Sequence, residues 1–554
     1  MIKQELERIL IKVQKPSRYV GGEYNQIIKS KDDVKIRVAF CFPDTYEIGM
    51  SNLGLRILYG VFNAIDDVWC ERVFAPWPDM ESEMRENGIS LYGLESYDSL
   101  SEFDIIAFSL GYELSYTNVL NMLDLANIPI RREDRDGSHP LIIGGGACCY
   151  NPEPIADFFD LLVVGDGEEV AVEIIDKYRS VSDRETFLND VSKLEGVYVP
   201  SLQEVSPKTV TKRIVKDLDS VYFPVNSIVP SMGIVHDRAV LELFRGCKRG
   251  CKFCQAGHVN YPIRARSPDK LFEQGIAAIE NTGYDEIALL SLSTSDYPQL
   301  DELCDKLIKW CEPKKVNLSL PSLRVDNFNI DLLEQVQKVR KSGLTFAPEA
   351  GSQRLRDYIN KNITRDDLLS ACKLAFAGGW NSVKLYFMLG LPTETDEDVV
   401  AIAELANAVL DTWKEHTTNK KRGVRITVST SCFIPKPHTP YERVGQISIS
   451  EYLRRARLLK ESIRSKSITY NYHSPEQGYI EAALSRGDKR IGDVIATAWR
   501  NGAKFDSWTE HFSLDRWIEA FKENGIDPDD YASRERAKDE KLPWDIVSIN
   551  NNVR

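Results

Sequence analysis

Short apolar runs alternate with stretches of helical periodicity twice along this chain, and that alternation restricts it to folds built on parallel sheets. KIRVAFCFP, DIIAFSLG, PLIIGGG and DLLVVGDGE read as strands buried on both faces, with helical segments between several of them. Such a series implies a doubly covered, Rossmann-like α/β domain over 35–182. The second series is AVLELF, EIALLSLS, KVNLSLPS, GLTFAP, SVKLYFMLG and VRITVSTSCF. Six strand–helix repeats fall short of the eight of a closed barrel, so an open, partial (βα)6 barrel is expected over 236–445. Residues 1–34 hold an amphipathic helix and a turn-rich stretch. Residues 183–235, with prolines at 200, 207, 224 and 230, read as a connector. Beyond 445 the strand signal disappears, and 446–554 reads as a helical region with a solvated tail.

Composition narrows the class of partner. Among 554 residues, 83 acids against 70 bases leave a net charge of -13. This argues against non-specific binding to nucleic acid or to an anionic membrane surface. No apolar run reaches the length of about 18 residues that a membrane span needs. The N-terminus MIKQELERILIKVQK lacks a signal-peptide core, so a soluble, cytoplasmic protein is expected.

Eleven cysteines, an odd number without a secretion signal, do not read as a disulfide framework. Eight are scattered in apolar settings that suit small buried thiols. The other three, Cys247, Cys251 and Cys254, are crowded into ELFRGCKRGCKFCQAGH with C-x3-C-x2-C spacing. Thiolates at that spacing let one loop wrap an iron–sulfur cluster or a zinc ion. Three ligands to a four-iron cubane leave one iron open to a substrate atom. The zinc reading would take His258 as fourth ligand, but structural zinc loops usually split their ligand pairs by a longer insert. The loop also leaves the first barrel strand at its C-terminal end, where such folds place chemistry.

C-x3-C-x2-C with Phe253 before the last cysteine, after the first strand of a (βα)6 array, resembles the radical S-adenosylmethionine (SAM) superfamily over about 238–440. The resemblance implies a 4Fe-4S cluster on Cys247, Cys251 and Cys254. Its open iron would chelate SAM, and one electron would release a 5′-deoxyadenosyl radical. It also implies an external electron donor of the flavodoxin or ferredoxin type. The usual Gly-Gly-Glu stretch is replaced by Ser291-Leu292-Ser293-Thr294-Ser295-Asp296, where Ser293 and Ser295 are candidates to meet the SAM ammonium. PSLRVD suggests Ser322 and Arg324 as SAM contacts, an arginine fork suiting a carboxylate. PEAGSQRLR places Glu349 near the ribose, and FMLGLPTET places Gly390 near the adenine. The basic run Arg245, Lys248, Arg249, Lys252, Arg264 and Arg266 is expected to compensate cluster thiolates and the SAM carboxylate. An anionic cleft for RNA is the alternative, with few aromatics to stack bases.

The first domain lacks a dinucleotide fingerprint after its first strand. Instead, Asp44-x-Tyr46-x-x-Gly49 resembles the Asp-x-His-x-x-Gly of cobalamin-binding domains, with tyrosine replacing the cobalt-ligating histidine. Ser109 and Gly144-Gly145-Gly146 stand where that family has its Ser-x-Leu and Gly-Gly elements. The local alternatives are a helix cap for Asp44 and a tight turn for the glycines. Nearly the full length resembles cobalamin-binding-domain radical SAM proteins, a family without a settled substrate. The leading expectation is a cobalamin-assisted methyl transfer or other radical modification. Two alternatives are a non-catalytic cobalamin sensor or assembly factor with a structural cluster, and a methylthiotransferase-like RNA-modifying enzyme. His438 and His473 lie in proline-flanked turns and read as solvent-facing. Cys432 and the Cys148-Cys149 pair read as buried and inert.

Overall fold

The first sheet is ordered β2-β1-β3-β4-β5-β6, with β1 Ile36–Phe42, β2 Val68–Phe74, β3 Ile105–Ser109, β4 Leu141–Gly145, β5 Leu161–Val163 and β6 Val197–Tyr198. The computed structural model describes residues 2–181, 183–320, 344–418, 421 and 423–549. Five strands run parallel and β6 is antiparallel to β5. Strands β1 and β2 are buried along nearly their whole length, as covering helices on both faces require. The strand order reverses between β1 and β3, so the loops at their C-terminal ends splay and leave a crevice. The helix Leu53–Asn63 starts beside this crevice, its first turn capped by the Asn52 side chain accepting from the Leu55 amide at 3.0 Å. Because β6 lies at 197–198, part of the expected connector completes this sheet. Two residues are too few to show a strand period.

The barrel is built of two parallel arcs. One is β9-β8-β7, from β7 Ala239–Glu242, β8 Glu286–Leu290 and β9 Asn317–Ser319. The other is β10-β11-β12-β13, from β10 Leu344–Glu349, β11 Ser382–Leu389, β12 Arg425–Cys432 and β13 Ile468–Tyr472. Helices return the chain between strands. Pro268–Thr282, for example, opens on a Ser267 cap and a first-turn proline and ends at left-handed Gly283. The seventh strand corrects the expectation of six and carries the array past residue 445. ITYNY is polar and exposes Tyr472, so it forms no apolar run to announce itself.

The C-terminal helices divide between the two units. Ile449–Ser462 packs Tyr452 and Leu459 into the barrel core. Pro475–Ser485, Ile491–Arg500 and Leu514–Glu523 instead return to the first domain, where Ile480, Val494, Trp517 and Phe521 join the core around Val38 and Ile106. No helix among the described residues is long and apolar enough to cross a membrane.

Candidate functional site

The cysteine loop leaves β7 and turns back on itself. Phe244–Arg245 pairs antiparallel with Arg264–Ala265, and between them lie Cys247, Cys251, Cys254 and the short helix Gln255–Val259. Gly246 and Gly250 take positive φ values of 90 and 67, conformations that let the loop curl without strain. All three cysteines are half-buried. Gly257 lies under two of them, since a methyl group there would sit 3.7 Å from Cys254 Sγ and 3.9 Å from Cys247 Cβ. Burial pushes the Cys254 thiol up, with Cys251 and Cys247 adding in the same direction. Among the described residues, no three His, Cys, Asp or Glu side chains gather as ligands of a single ion would. His258 is buried, and its Nε2 faces the Cys251 carbonyl at 3.2 Å. With His258 Nε2 engaged by a carbonyl of the loop, the three thiols are the loop's candidate donor set.

The loop is clamped by a segment that the motifs did not single out. Asn360 Nδ2 donates to the Gly250 carbonyl at 2.9 Å, and Lys252 donates its amide to Ile359 O and its ammonium to Tyr358 O. Lys361 donates to Glu349 Oε1 at 3.0 Å. Asn360 and Asn362 both adopt positive φ, so a turn signal was present in NKN, but its target lies more than 100 residues away.

Most of the basic run is paired with carboxylates. Arg245 pairs with Glu242, at 2.9 Å, and with Glu168. Arg264 pairs with Asp166, and Arg266 reaches Glu242 at 3.4 Å and the Leu218 carbonyl. Arg249 grips both oxygens of Asp296, with Nε to Oδ2 at 2.6 Å. Apart from Glu242, the acids come from other parts of the fold, which a count within the segment could not reveal.

The SAM candidates separate into three groups. Ser293 donates to Asp296 Oδ2 at 2.7 Å and so belongs to the Arg249 latch, with Ser295 half-buried in the same turn. Ser322 and Arg324 lie outside the described residues. Glu349 ends β10 at a β-bulge: Phe346 faces Leu385, but Glu349 faces Phe387. Its φ is 68, a left-handed conformation held against its ordinary preference, which re-aims the carboxylate toward Lys361. Gly390 also has positive φ, and its amide donates to Glu394 Oε2 at 2.7 Å. A side chain at Gly390 would strike Ile447 at 2.7 Å.

At the C-terminal edge of the first sheet, an apolar cavity of about 190 Å3 opens beside the helix Leu53–Asn63. Ser109, Gly144, Gly145 and Gly146 all line it, so the structure brings these four together. Gly165 and Gly167 line it too; GDG after a buried run was a readable signal for them. A methyl group on Gly145 would have its nearest neighbour at 3.8 Å, which means the missing side chain is cavity space. Gly54, Gly111, Gly146 and Ala147 are exposed around the edge.

The Asp44 motif is placed differently. Asp44 accepts from Trp508 Nε1 at 3.0 Å and from Ser507 Oγ at 3.3 Å, both from the C-terminal region. Tyr46 is buried and donates to Glu23 Oε1 at 2.8 Å, and burial raises its pKa. Glu23 in turn pairs with buried Arg72 at 2.9 Å, and Arg72 with Glu95 at 2.7 Å. Gly49 is a packing glycine, since any side chain would strike Phe74 at 2.3 Å. Tyr46 therefore belongs to an internal ion network.

The two edges meet. Lys212, buried and pushed down to about 8 by that burial, donates to the Val259 carbonyl at 2.8 Å behind the cysteine loop. Tyr150 OH reaches the same carbonyl at 3.3 Å. His438 Nε2 lies 2.8 Å from the Tyr150 carbonyl, and burial pushes its pKa down to about 4, so it is an internal link and not a solvent-facing residue. His473 is exposed, as expected. Burial raises Cys432 to about 12 and Cys149 beyond that range, in keeping with inert thiols.

Comparison with known proteins agrees with this arrangement. Residues 54–200 match the family model described as radical SAM proteins, N-terminal, and 241–406 match that of the radical SAM superfamily. An uncharacterised protein of Methanocaldococcus jannaschii is 29% identical over 493 residues, covering 88% of this chain and 97% of its own. Among solved structures, the cobalamin-dependent SAM radical enzyme OxsB with aqua-cobalamin and SAM bound has a TM-score of 0.53 at 13% identity. The match covers 88% of this chain and 72% of that one. The radical SAM methyltransferase TsrM of Kitasatospora setae, with cobalamin and a [4Fe-4S] cluster bound, has a TM-score of 0.50 at 12% identity, covering 74% and 77%. At such identities the two structures speak to fold. The two family matches, with the cysteine loop on the first barrel strand, identify this chain as an enzyme of the radical SAM superfamily.

Proposed function

We propose that this enzyme carries out a cobalamin-assisted radical SAM reaction, a methyl transfer or another carbon-centred modification. One observation carries the reading. The three-cysteine loop and the glycine-lined cavity sit at the C-terminal edges of two parallel sheets, and Tyr150, Lys212 and His438 tie those edges together. Two proteins of like fold carry cobalamin, which supports the reading.

In this proposal Cys247, Cys251 and Cys254 hold the 4Fe-4S cluster. When bound, that cluster supplies the electron for SAM cleavage, drawn from an external donor of the flavodoxin or ferredoxin type, and an open iron to chelate SAM. The chain's own residues do the positioning. Asn360 and Lys252 fix the loop so that its thiolates do not wander. Glu349, held by Lys361, accepts hydrogen bonds from the ribose hydroxyls. Ser109 and Gly144–Gly146 admit the flat base at the end of the cobalamin nucleotide tail, for which 190 Å3 of apolar space is suited, whereas a whole corrin is not. The exposed Gly54, Gly111, Gly146 and Ala147 leave room for the macrocycle outside the cavity. Because Tyr46 is committed to Glu23, that motif would offer bound cobalamin no side-chain ligand.

The test is product analysis. Reduced, cluster-reconstituted protein incubated with SAM for hours should form 5′-deoxyadenosine slowly without substrate. S-adenosylhomocysteine should appear only when corrinoid is bound. Absence of both products, from protein with a full cluster and demonstrated SAM binding, would return the chain to the sensor or assembly-factor reading.

A further inference from the structure

A crevice of about 690 Å3 lies between Glu153 and Tyr198 of the N-terminal unit and Arg490, Arg534, Arg536 and Lys541 of the C-terminal region. None of its lining residues belongs to the barrel, the cysteine loop or the glycine-lined cavity. Its C-terminal wall is rich in guanidinium groups with too few carboxylates. Arg486, behind that wall and fully buried, donates only to the main-chain carbonyls of Ala532 at 2.9 Å and Arg534 at 3.3 Å, and its Nε has no partner. Arg536 is 8% exposed. It donates to the Arg486 carbonyl at 2.8 Å, its Nε is also without a partner, and its nearest carboxylate, Glu540, stands 3.6 Å away. Glu540 is already taken by both terminal nitrogens of Arg534, at 2.9 and 2.8 Å. Arg443 reaches only main-chain carbonyls, among them that of Glu540 at 2.9 Å. These four guanidiniums have Glu540 as their near carboxylate, with Glu442 and Asp488 acting on them from further off.

Across the crevice Glu153 meets only a neutral hydroxyl and keeps its charge, while the other lining acids there are held by cations. Glu153 accepts from Tyr198 OH at 2.8 Å, Glu204 is held by Lys489 and Arg132, and Asp488 is held by Arg490 at 2.8 Å. Asp530 adds a single negative charge at the exposed rim. Burial and then the charges of Arg536 and Arg534 push Arg486 down to about 9, against a smaller opposing pull from Glu540 and Glu442. Uncompensated buried charge is costly, and an anion entering the crevice would relieve that cost. Guanidinium forks suit phosphate and carboxylate oxygens above other ligands.

We propose that this crevice is a second ligand site, which takes a small polyanion bearing phosphate groups, with Arg536 and Arg534 as its contacts and Lys541 at its rim. Full-length protein titrated calorimetrically with inorganic pyrophosphate should give a saturable heat that weakens as salt is raised. Arg536→Gln should lower affinity by about tenfold. Because Arg536 is buried and its loss could unfold the chain, Lys541→Glu on the rim is the second variant. It should weaken pyrophosphate several-fold, by repulsion, while the melting temperature of the ligand-free protein stays unchanged. No saturable heat with folded wild-type protein would overturn the proposal, as would affinity unaffected by Lys541→Glu. Binding of a single-stranded oligonucleotide without binding of pyrophosphate would also overturn it, in favour of a nucleic-acid surface.

Discussion

The two C-terminal sheet edges reach the same junction by opposite means. The barrel edge is crowded with functional groups: three thiols, a bulged carboxylate at Glu349, and Arg249, Lys252, Asn360 and Lys361 fastening the loop. The edge of the first sheet offers almost nothing but absent side chains, and its cavity is lined by apolar residues and glycines with Ser109 as a lone hydroxyl. A cluster is bound by donors that must be supplied, while a flat base is admitted by volume left unfilled. Loss of a donor therefore acts through bonding and gain of an atom acts through sterics, so the two edges can be broken independently.

The largest effect expected is at the barrel edge. Replacing Cys247, Cys251 and Cys254 together by alanine should abolish the visible iron–sulfur absorbance of anaerobically reconstituted protein. Corrinoid retention and far-ultraviolet circular dichroism should stay as in the wild type. Stoichiometric zinc in native protein, with no iron–sulfur spectrum after reconstitution, would sink the cluster assignment.

The converse experiment is Gly145→Phe. Since a side chain at Gly145 would begin at ordinary contact distance from Val163, 3.8 Å, the backbone should tolerate the change, but the ring would fill the cavity. Retained hydroxocobalamin should fall by about tenfold or more, with iron content unchanged. Equal loss of iron and corrinoid would show that the two edges are not separable.

A smaller effect is expected from Glu349→Gln, which keeps the shape of the bulged residue and removes its charge. SAM affinity, measured by equilibrium binding to the reconstituted protein, should drop about tenfold, the worth of a charge-assisted hydrogen bond. Unchanged affinity would remove Glu349 from the proposed ribose site.

The smallest effect tests the link between the edges. Burial holds His438 at about 4, below its ordinary 6.5, so the native state binds fewer protons than the unfolded chain in that window. Stability present above pH 6.5 is therefore lost as pH falls toward 4, by at most roughly 3 kcal/mol from this residue. Urea unfolding of wild type and His438→Gln should diverge at pH 7 and converge toward pH 4. Parallel curves across that range would show that His438 ionises without cost.

Legibility followed the same division. The three cysteines could be read because cluster chemistry demands one residue type at close spacing, and the strands of both sheets because buried parallel strands are continuous apolar runs. Three strands were not legible in this way: β2, whose apolar run is interrupted by Glu71 and Arg72, and β6 and β13, which are too short or too polar. Gly144–Gly146 were visible as glycines, yet whether they made a turn or a cavity wall depended on what packed around them.

Local sequence was enough to determine the two α/β units, the three-cysteine loop and the order of the segments, because period, apolar runs and residue spacing act over a few residues. Only the tertiary structure decided what met what. It supplied Asp166, Glu168 and Asp296 to the basic run, closed Trp508 over Asp44, buried Tyr46 on Glu23, and folded the last three long helices back onto the first domain. These contacts join residues tens to hundreds of positions apart. Their free energy comes from mutual burial and charge pairing, and a periodicity read along one segment holds no record of the partner that buries it.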